Sequence, residues 1–261
     1  GSQALKSTAA NAVTGIVAIG YNALTSLTSG VGNTAIGYQA LYTEDTGGGN
    51  TAIGYQALKF NNVDNSAAGN TAIGYQAAAN YTAHQRNTII GYQAASGSDG
   101  GENNNTIIGY KAGLSINSND ASNNVIVGKE AGTGGTGTLA SAVIIGEGAM
   151  NSTANHASTG QVAVGRNALT ALTSGTENTA LGYNAGLNQT TGDGNITIGS
   201  GSLGVAGESN QLRIGNGNTI TTISASLTTG DIIFPSTASA TYFVGDGSNV
   251  TGVISASYAV T

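Results

Sequence analysis

The chain has 261 residues, of which 42 are glycine, one is proline and none is cysteine or tryptophan; only 8% are charged, and the net charge is −6. Such a composition excludes a disulfide scaffold, and the scatter of seven Lys and Arg removes the electrostatic basis for binding nucleic acid or an anionic membrane surface. No apolar stretch is long enough to cross a bilayer, so membrane insertion is not expected either.

In chain order, Gly1-Ser2 reads as a cloning scar and residues 1–15 as a lead-in, so the chain is expected to be a fragment. From residue 16 to 217 a near-copy of Asn-Thr-Ala-Ile-Gly-Tyr-Gln-Ala recurs twelve times, the motif glycine returning every 16 to 20 residues from Gly20 to Gly215. A unit this short is one supersecondary element repeated along an axis, not a globular domain. The expected fold is therefore all-β: a parallel β-roll or β-helix solenoid of about twelve coils. At roughly 4.8 Å per coil it would be a rod on the order of 50 Å long.

Each motif carries one short strand. Three residues before the glycine stand mostly β-branched residues (Val17, Thr34, Thr51, Thr71, Thr88, Thr106, Val125, Val143, Val162), which favour a strand over a helix. Immediately before the glycine the residue is always aliphatic: Ile19, Ile36, Ile53, Ile73, Ile90, Ile108, Val127, Ile145, Val164, Leu181, Ile198 and Ile214. This row is expected to be the core ladder. Because side chains of a strand alternate, the residue between these two rows points the other way. There stand Ala35, Ala52, Ala72, Ile89, Ile107, Ile126, Ile144 and Ala163, also apolar. A strand apolar on both faces is covered on both faces. The second row is therefore the candidate subunit interface, covered by another copy of the chain.

Other rows and segments carry less definite signals. Asparagine four residues before the glycine (Asn33, Asn50, Asn70, Asn87, Asn105, Asn124, Asn178, Asn195) fits a turn whose side chain bonds its own backbone and stacks in a ladder. Tyrosine follows the glycine at Tyr21, Tyr38, Tyr55, Tyr75, Tyr92, Tyr110 and Tyr183, suited to a subunit seam or to an exposed stripe that stacks on sugars; Lys129, Glu147 and Arg166 replace it in copies seven to nine. The segments between motifs vary in length and hold most of the carboxylates. Their candidate receptor-contact residues are Glu44, Asp45, Asp64, His84, Asp99, Asp120 and His156.

Residues that could carry chemistry do not converge. His84 and His156 lie in loops about four coils apart, so one chain cannot bring them to a shared zinc ion. The serine-rich loop around Ser152 and His156 has no nearby acid. Gly47-Gly48-Gly49 does not lead into a helix as a phosphate cradle would, and Asp193-Gly194-Asn195 lacks the spacing of a calcium loop. The expectation is a protein without enzymatic activity, catalytic residues, metal or cofactor.

Beyond residue 217 the glycine register is lost. Residues 218–261 read as a β-rich stem or transition segment with turns at Thr229-Gly230-Asp231 and Gly245-Asp246-Gly247-Ser248.

The recurring Thr-Ala-Ile-Gly-Tyr-x-Ala, with Val17-Ala18-Ile19-Gly20-Tyr21-Asn22-Ala23, resembles the head repeats of YadA-type trimeric autotransporter adhesins. It is also similar to repeats in tail fibres of marine bacteriophages and phage-tail-like particles. The resemblance implies a left-handed parallel β-roll in which three chains pack side by side as an elongated homotrimer. Adhesin heads repeat with a shorter period and carry a second Ala-x-Ala-x-Gly half that is absent here. The end from Tyr242 to Thr261 looks more like phage fibre stem than an adhesin neck. The expected function is thus the structural, host-attachment shaft of a tail fibre. It would be extracellular on a virion or phage-tail-like particle and meet a bacterial cell-surface glycan or protein receptor. The alternatives are the head of a bacterial surface adhesin on the bacterial outer surface and, third, an ice- or glycan-binding solenoid presenting the threonine row.

Overall fold

Each of the first eleven copies of the motif folds into a strand of three residues that ends just before the motif glycine, and in eight of them an asparagine precedes the strand. The computed structural model describes residues 1–6, 13–62, 68–82, 84–98, 102–116, 121–134, 138–151, 158–201, 204–217 and 221–233. The strands are β1 (Val17–Ile19), β2 (Thr34–Ile36), β3 (Thr51–Ile53), β4 (Thr71–Ile73), β5 (Thr88–Ile90), β6 (Thr106–Ile108), β7 (Val125–Val127), β8 (Leu139–Ala140), β9 (Val143–Ile145), β10 (Ser158–Thr159), β11 (Val162–Val164), β12 (Thr179–Leu181), β13 (Ile196–Ile198), β14 (Gln211–Gly215), β15 (Thr221–Ser226) and β16 (Ile232–Ile233). No helix occurs among the described residues. The strands β1 to β7, β9 and β11 to β14 form one parallel stack in that order, and β8 pairs with β10 beside it. Equivalent residues lie side by side: Thr51 with Thr71, Ala52 with Ala72, Ile53 with Ile73. The chain is a parallel β-solenoid.

Two backbone constraints hold the coils in register. The motif glycines from Gly20 to Gly182 sit at φ between 132° and 141°, where side chains are strongly disfavoured. A Cβ on Gly54 would lie 2.3 Å from the carbonyl oxygen of Gly74, and one on Gly91 would lie 2.2 Å from that of Gly109. The glycine column is thus a line of close backbone contact from coil to coil.

Beside it runs the asparagine column, which bonds to the next coil instead of to its own turn. Asn33 Oδ1 accepts from the Asn50 N–H, Asn50 from Asn70, Asn70 from Asn87, Asn87 from Asn105, and Asn105 from Asn124 at 2.8–3.0 Å. The same side chains reach a second point on that coil. Asn33 Nδ2 donates to the Gly47 carbonyl, Asn70 to that of His84, Asn105 to that of Ala121 and Asn124 to that of Leu139. Gln161 fills the role at one rung, accepting from the Asn178 N–H and donating to the Gly175 carbonyl. These amides are fully buried, so each bond answers a backbone group that water cannot reach.

The interior inverts the expected facing of the strand. The middle residues Ala35, Ala52, Ala72, Ile89, Ile107, Ile126, Ile144 and Ala163 are fully buried inside the coils. The row before the glycine, expected as the core ladder, faces outward: Ile19 is 57% and Leu181 is 47% exposed. The physical reason is the width of the coil. An inward strand residue stands across the interior from the residue six positions later, and in most coils one of the two is large and the other small, although Ala72 and Ala78 are both small and Ile144 and Met150 both large. Ala35 faces Leu41, Ala52 faces Leu58 and Ala163 faces Leu169, whereas Ile107 faces Gly113 and Ile126 faces Gly132. A Cβ added to Gly113 would lie 3.2 Å from Ile107 Cδ1. Those leucines adopt left-handed backbone, with φ near 50°, a local strain that their complete burial offsets.

The ends differ. Gly1–Leu5, expected as scar and lead-in, forms the closing half of a coil: Leu5 N–H donates to the Ala23 carbonyl and Asn22 N–H to that of Ser2, while Gln3 and Leu5 repeat the left-handed backbone of Asn22 and Leu24. At the other end the inward row turns polar at Thr197 and Arg213, the latter paired with Glu208. There β15 and β16 reverse direction to run antiparallel, joined through the expected turn at Thr229-Gly230-Asp231. The second expected turn, at Gly245 to Ser248, lies outside the described residues.

Two substitutions test this packing. Asn105→Ala strips the Asn124 N–H of its acceptor and the Ala121 carbonyl of its donor, and is expected to destabilise the rod by about 2–4 kcal/mol in chemical denaturation. Ile107→Ala is expected to lose about 2–5 kcal/mol. Adding Gly113→Leu to it, which recreates the pairing of Ala52 with Leu58, is expected to restore part of that loss.

Candidate interaction surface

The outward face of the stacked strands carries two rows, one three residues before the motif glycine and one immediately before it. Across all twelve copies neither row contains a charged residue, and the second is aliphatic throughout. Val17, Ile19, Val125, Ile145 and Leu181 are each more than a third exposed in the single chain. A soluble sheet face with one side on the core ordinarily alternates to polar residues outside. Here one outward row is threonine in six copies and Val, Ile or Leu in the other six, while the other row stays aliphatic along the length of the solenoid.

Along one border of this face lies the tyrosine row. Tyr21, Tyr38, Tyr55, Tyr75, Tyr92 and Tyr110 stack in one ladder, with centroids 5.0–5.5 Å apart and planes within 12° of parallel. Each ring covers the face of its neighbour. A sugar stacks on a ring face, so the ladder offers edges and hydroxyls to its surroundings in place of open stacking platforms. The replacements continue the ladder as ion pairs: Glu147 lies 3.2 Å from Lys129 Nζ and 3.3 Å from Arg166 Nε, and the Arg166 guanidinium stands 5.8 Å from the Tyr183 ring centre. The hydrogen bond from Lys129 lowers the pKa of Glu147, and the same bond raises that of Lys129. Next to the tyrosines the glutamines form their own ladder, Gln56 donating to Gln39, Gln76 to Gln56 and Gln93 to Gln76 at 2.9–3.0 Å.

The candidate contact loops divide. Glu44 and His84 are fully buried, which removes both from any receptor surface; Asp45 is half-buried. Asp64, Asp99, Asp120 and His156 lie outside the described residues. Glu44 and His84 belong instead to an internal polar block. The position seven residues after the motif glycine points inward and holds Leu27, then Glu44, Asn61, Tyr81 and Ser98, then Ile116, on successive coils. Tyr81 stacks on the His84 ring at 4.0 Å, and burial pushes its hydroxyl well above the ordinary pKa, with the Glu102 charge adding to the shift. His84 Nδ1 accepts from the Thr82 N–H, and Nε2 contacts Glu102 Oε2. An imidazole with both nitrogens engaged in this way is a structural group, not a base poised to take a proton from a hydroxyl. Loop position alone gave no sign of this burial, although an isolated carboxylate aligned with Leu27 was a usable signal.

No known protein family, curated protein or solved structure matches the chain. No helix among the described residues is long and apolar enough to cross a membrane.

The tyrosine ladder makes a graded prediction. Tyr75→Ala removes ring contacts on both sides, Tyr21→Ala on one. The first is expected to destabilise by about 1–3 kcal/mol and the second by about half as much, read from denaturant midpoints.

Proposed function

We propose that the chain is a shaft segment of a homotrimeric tail fibre of a phage or phage-tail-like particle, a rigid rod that spaces and presents receptor-contacting surface to a bacterial envelope. The observation that carries this reading is the uncharged outward strand face, aliphatic at every rung from Ile19 to Ile214. Such a face is unfavourable in water and identical on every copy, so sister chains are its natural cover. The subunit seam is then centred on the outward rows that include Thr71 and Ile73, with the tyrosine ladder at its rim, where Lys129, Glu147 and Arg166 keep contact with solvent. This reverses the faces expected from the strand pattern, since Ala35, Ala52, Ala72 and Ile107 are used up inside the coil.

A rod whose described residues form no convergent polar cleft suits mechanical spacing. Receptor contact, to a cell-surface glycan or protein, falls to exposed loops between motifs, where length and sequence vary while the coil stays fixed. The number three and the fibre rest on the resemblance of the repeats and of the final segment to phage fibre sequences.

Light scattering tests the assembly. The native mass is expected to be about three times the 25.5 kDa of one chain. The double substitution Ile73→Glu and Ile90→Glu, outward on adjacent strands, is expected to yield a monomer that keeps its β circular dichroism. A wild-type chain that stays monomeric at all concentrations overturns the proposal.

A further inference from the structure

The inward carboxyl of Glu44 is fully buried, and one of its contacts is unusually short for an amide donor. Its Oε1 accepts from the Gly47 N–H at 2.7 Å, while its Oε2 lies 2.5 Å from the side-chain amide of Asn61 on the next coil and 3.4 Å from Asn50 Nδ2. With the amide nitrogen of Asn61 placed toward Glu44, Asn61 Oδ1 is buried without a hydrogen-bond partner. A separation of 2.5 Å is also short for N–H···O, which spans about 2.7–3.2 Å, and falls within the range of about 2.5–3.0 Å for O–H···O. The two ends of an amide are alike in shape. Turning Asn61 over brings its oxygen against Oε2, as an O–H donor there requires, and sets the amide nitrogen where the unpartnered oxygen stood.

We propose that Glu44 is a proton-binding site, held as a neutral carboxylic acid whose Oε2–H donates to the side-chain oxygen of Asn61, and that loss of this proton loosens the joint between the second and third coils. Among the described residues the surroundings supply no counter-ion. Leu27 occupies the equivalent position on the preceding coil and Tyr81 the one beyond Asn61. Among the described residues the charge acting on Glu44 is that of Asp45, of like sign and on the same loop. Lys59, whose carbonyl accepts from Thr43, holds its ammonium 4.6 Å from the Phe60 ring centre. Burial, opposed by the Gly47 and Asn61 hydrogen bonds and aided by Asp45, raises the Glu44 pKa from 4.5 to about 7.

The sign follows from linkage. A carboxyl that ionises near 4.5 when exposed and near 7 when folded stabilises the folded joint fully below pH 4.5. That contribution falls as pH rises to 7 and is gone above it. Opening of residues 41–62 should rise about tenfold per pH unit between pH 5 and 7 and level off above, a total on the order of a hundredfold. Coils remote from the site, such as that around Leu169, should not follow.

The experiment is carbon-13 titration of the Glu44 carboxyl in the full wild-type chain, together with hydrogen exchange from pH 5 to 8 corrected for intrinsic rates, in wild type and Glu44→Gln. The expected result is a Glu44 titration near neutrality and a pH-dependent opening confined to residues 41–62 that Glu44→Gln abolishes. Titration in the ordinary carboxylate range overturns the proposal, as does opening that is uniform along the rod or unchanged by Glu44→Gln. The wild-type titration decides alone should that variant fail to fold.

Discussion

The structure depends on backbone coming within van der Waals contact of backbone at the same place on every coil. A glycine column permits that approach, and a parallel asparagine column clamps each coil to the next at two points. Neither works alone. A side chain at the glycine would force the coils apart by its clash with the following carbonyl, and the asparagine bonds at 2.8–3.0 Å hold only while the spacing is that of a parallel sheet. A strand of three residues has little stability by itself, so order comes from repetition.

Given that spacing, the interior in most coils takes one large side chain, from either wall; Ile144 and Met150 together bring two, and Ala72 and Ala78 none. Ile107 and Ile126 bring it on the strand; Leu41, Leu58 and Leu169 bring it from the opposite turn. This exchange explains why the inward strand row varies between Ala and Ile, whereas the outward row keeps an aliphatic residue at every rung. The inner position varies, in most coils with a compensating change at its partner. The outer one answers to a uniform requirement along the rod, as a surface covered by copies of itself would impose.

The repeat, the strand positions, the parallel β-solenoid and the turn near Gly230 were legible in the sequence because each rests on spacing or on local backbone preference. The facing of the strands was not. Thr51, Ala52 and Ile53 alternate with apolar residues on both sides, and alternation says that two faces exist without saying which one the coil encloses. Bulk suggested Ile53; the interior took Ala52, because Leu58 already fills the space. The loops misled for a related reason. Glu44 and His84 look exposed by residue type, but their positions relative to the glycine fall on inward rows. The tyrosines were correctly placed as a row, while their mutual stacking needed the coil spacing to be known.

Inside and seam are most directly separated by thiol reactivity in this cysteine-free chain, with single cysteines at Ala72 and Ile73 measured over a range of protein concentration. Protection that comes from the coil does not depend on concentration; protection that comes from a sister chain does. The structure predicts that Ala72→Cys stays unreactive at every concentration at which the rod is folded, and the proposed trimer predicts that Ile73→Cys gains reactivity on dilution. An Ala72→Cys thiol that becomes reactive on dilution while Ile73→Cys stays protected would contradict it.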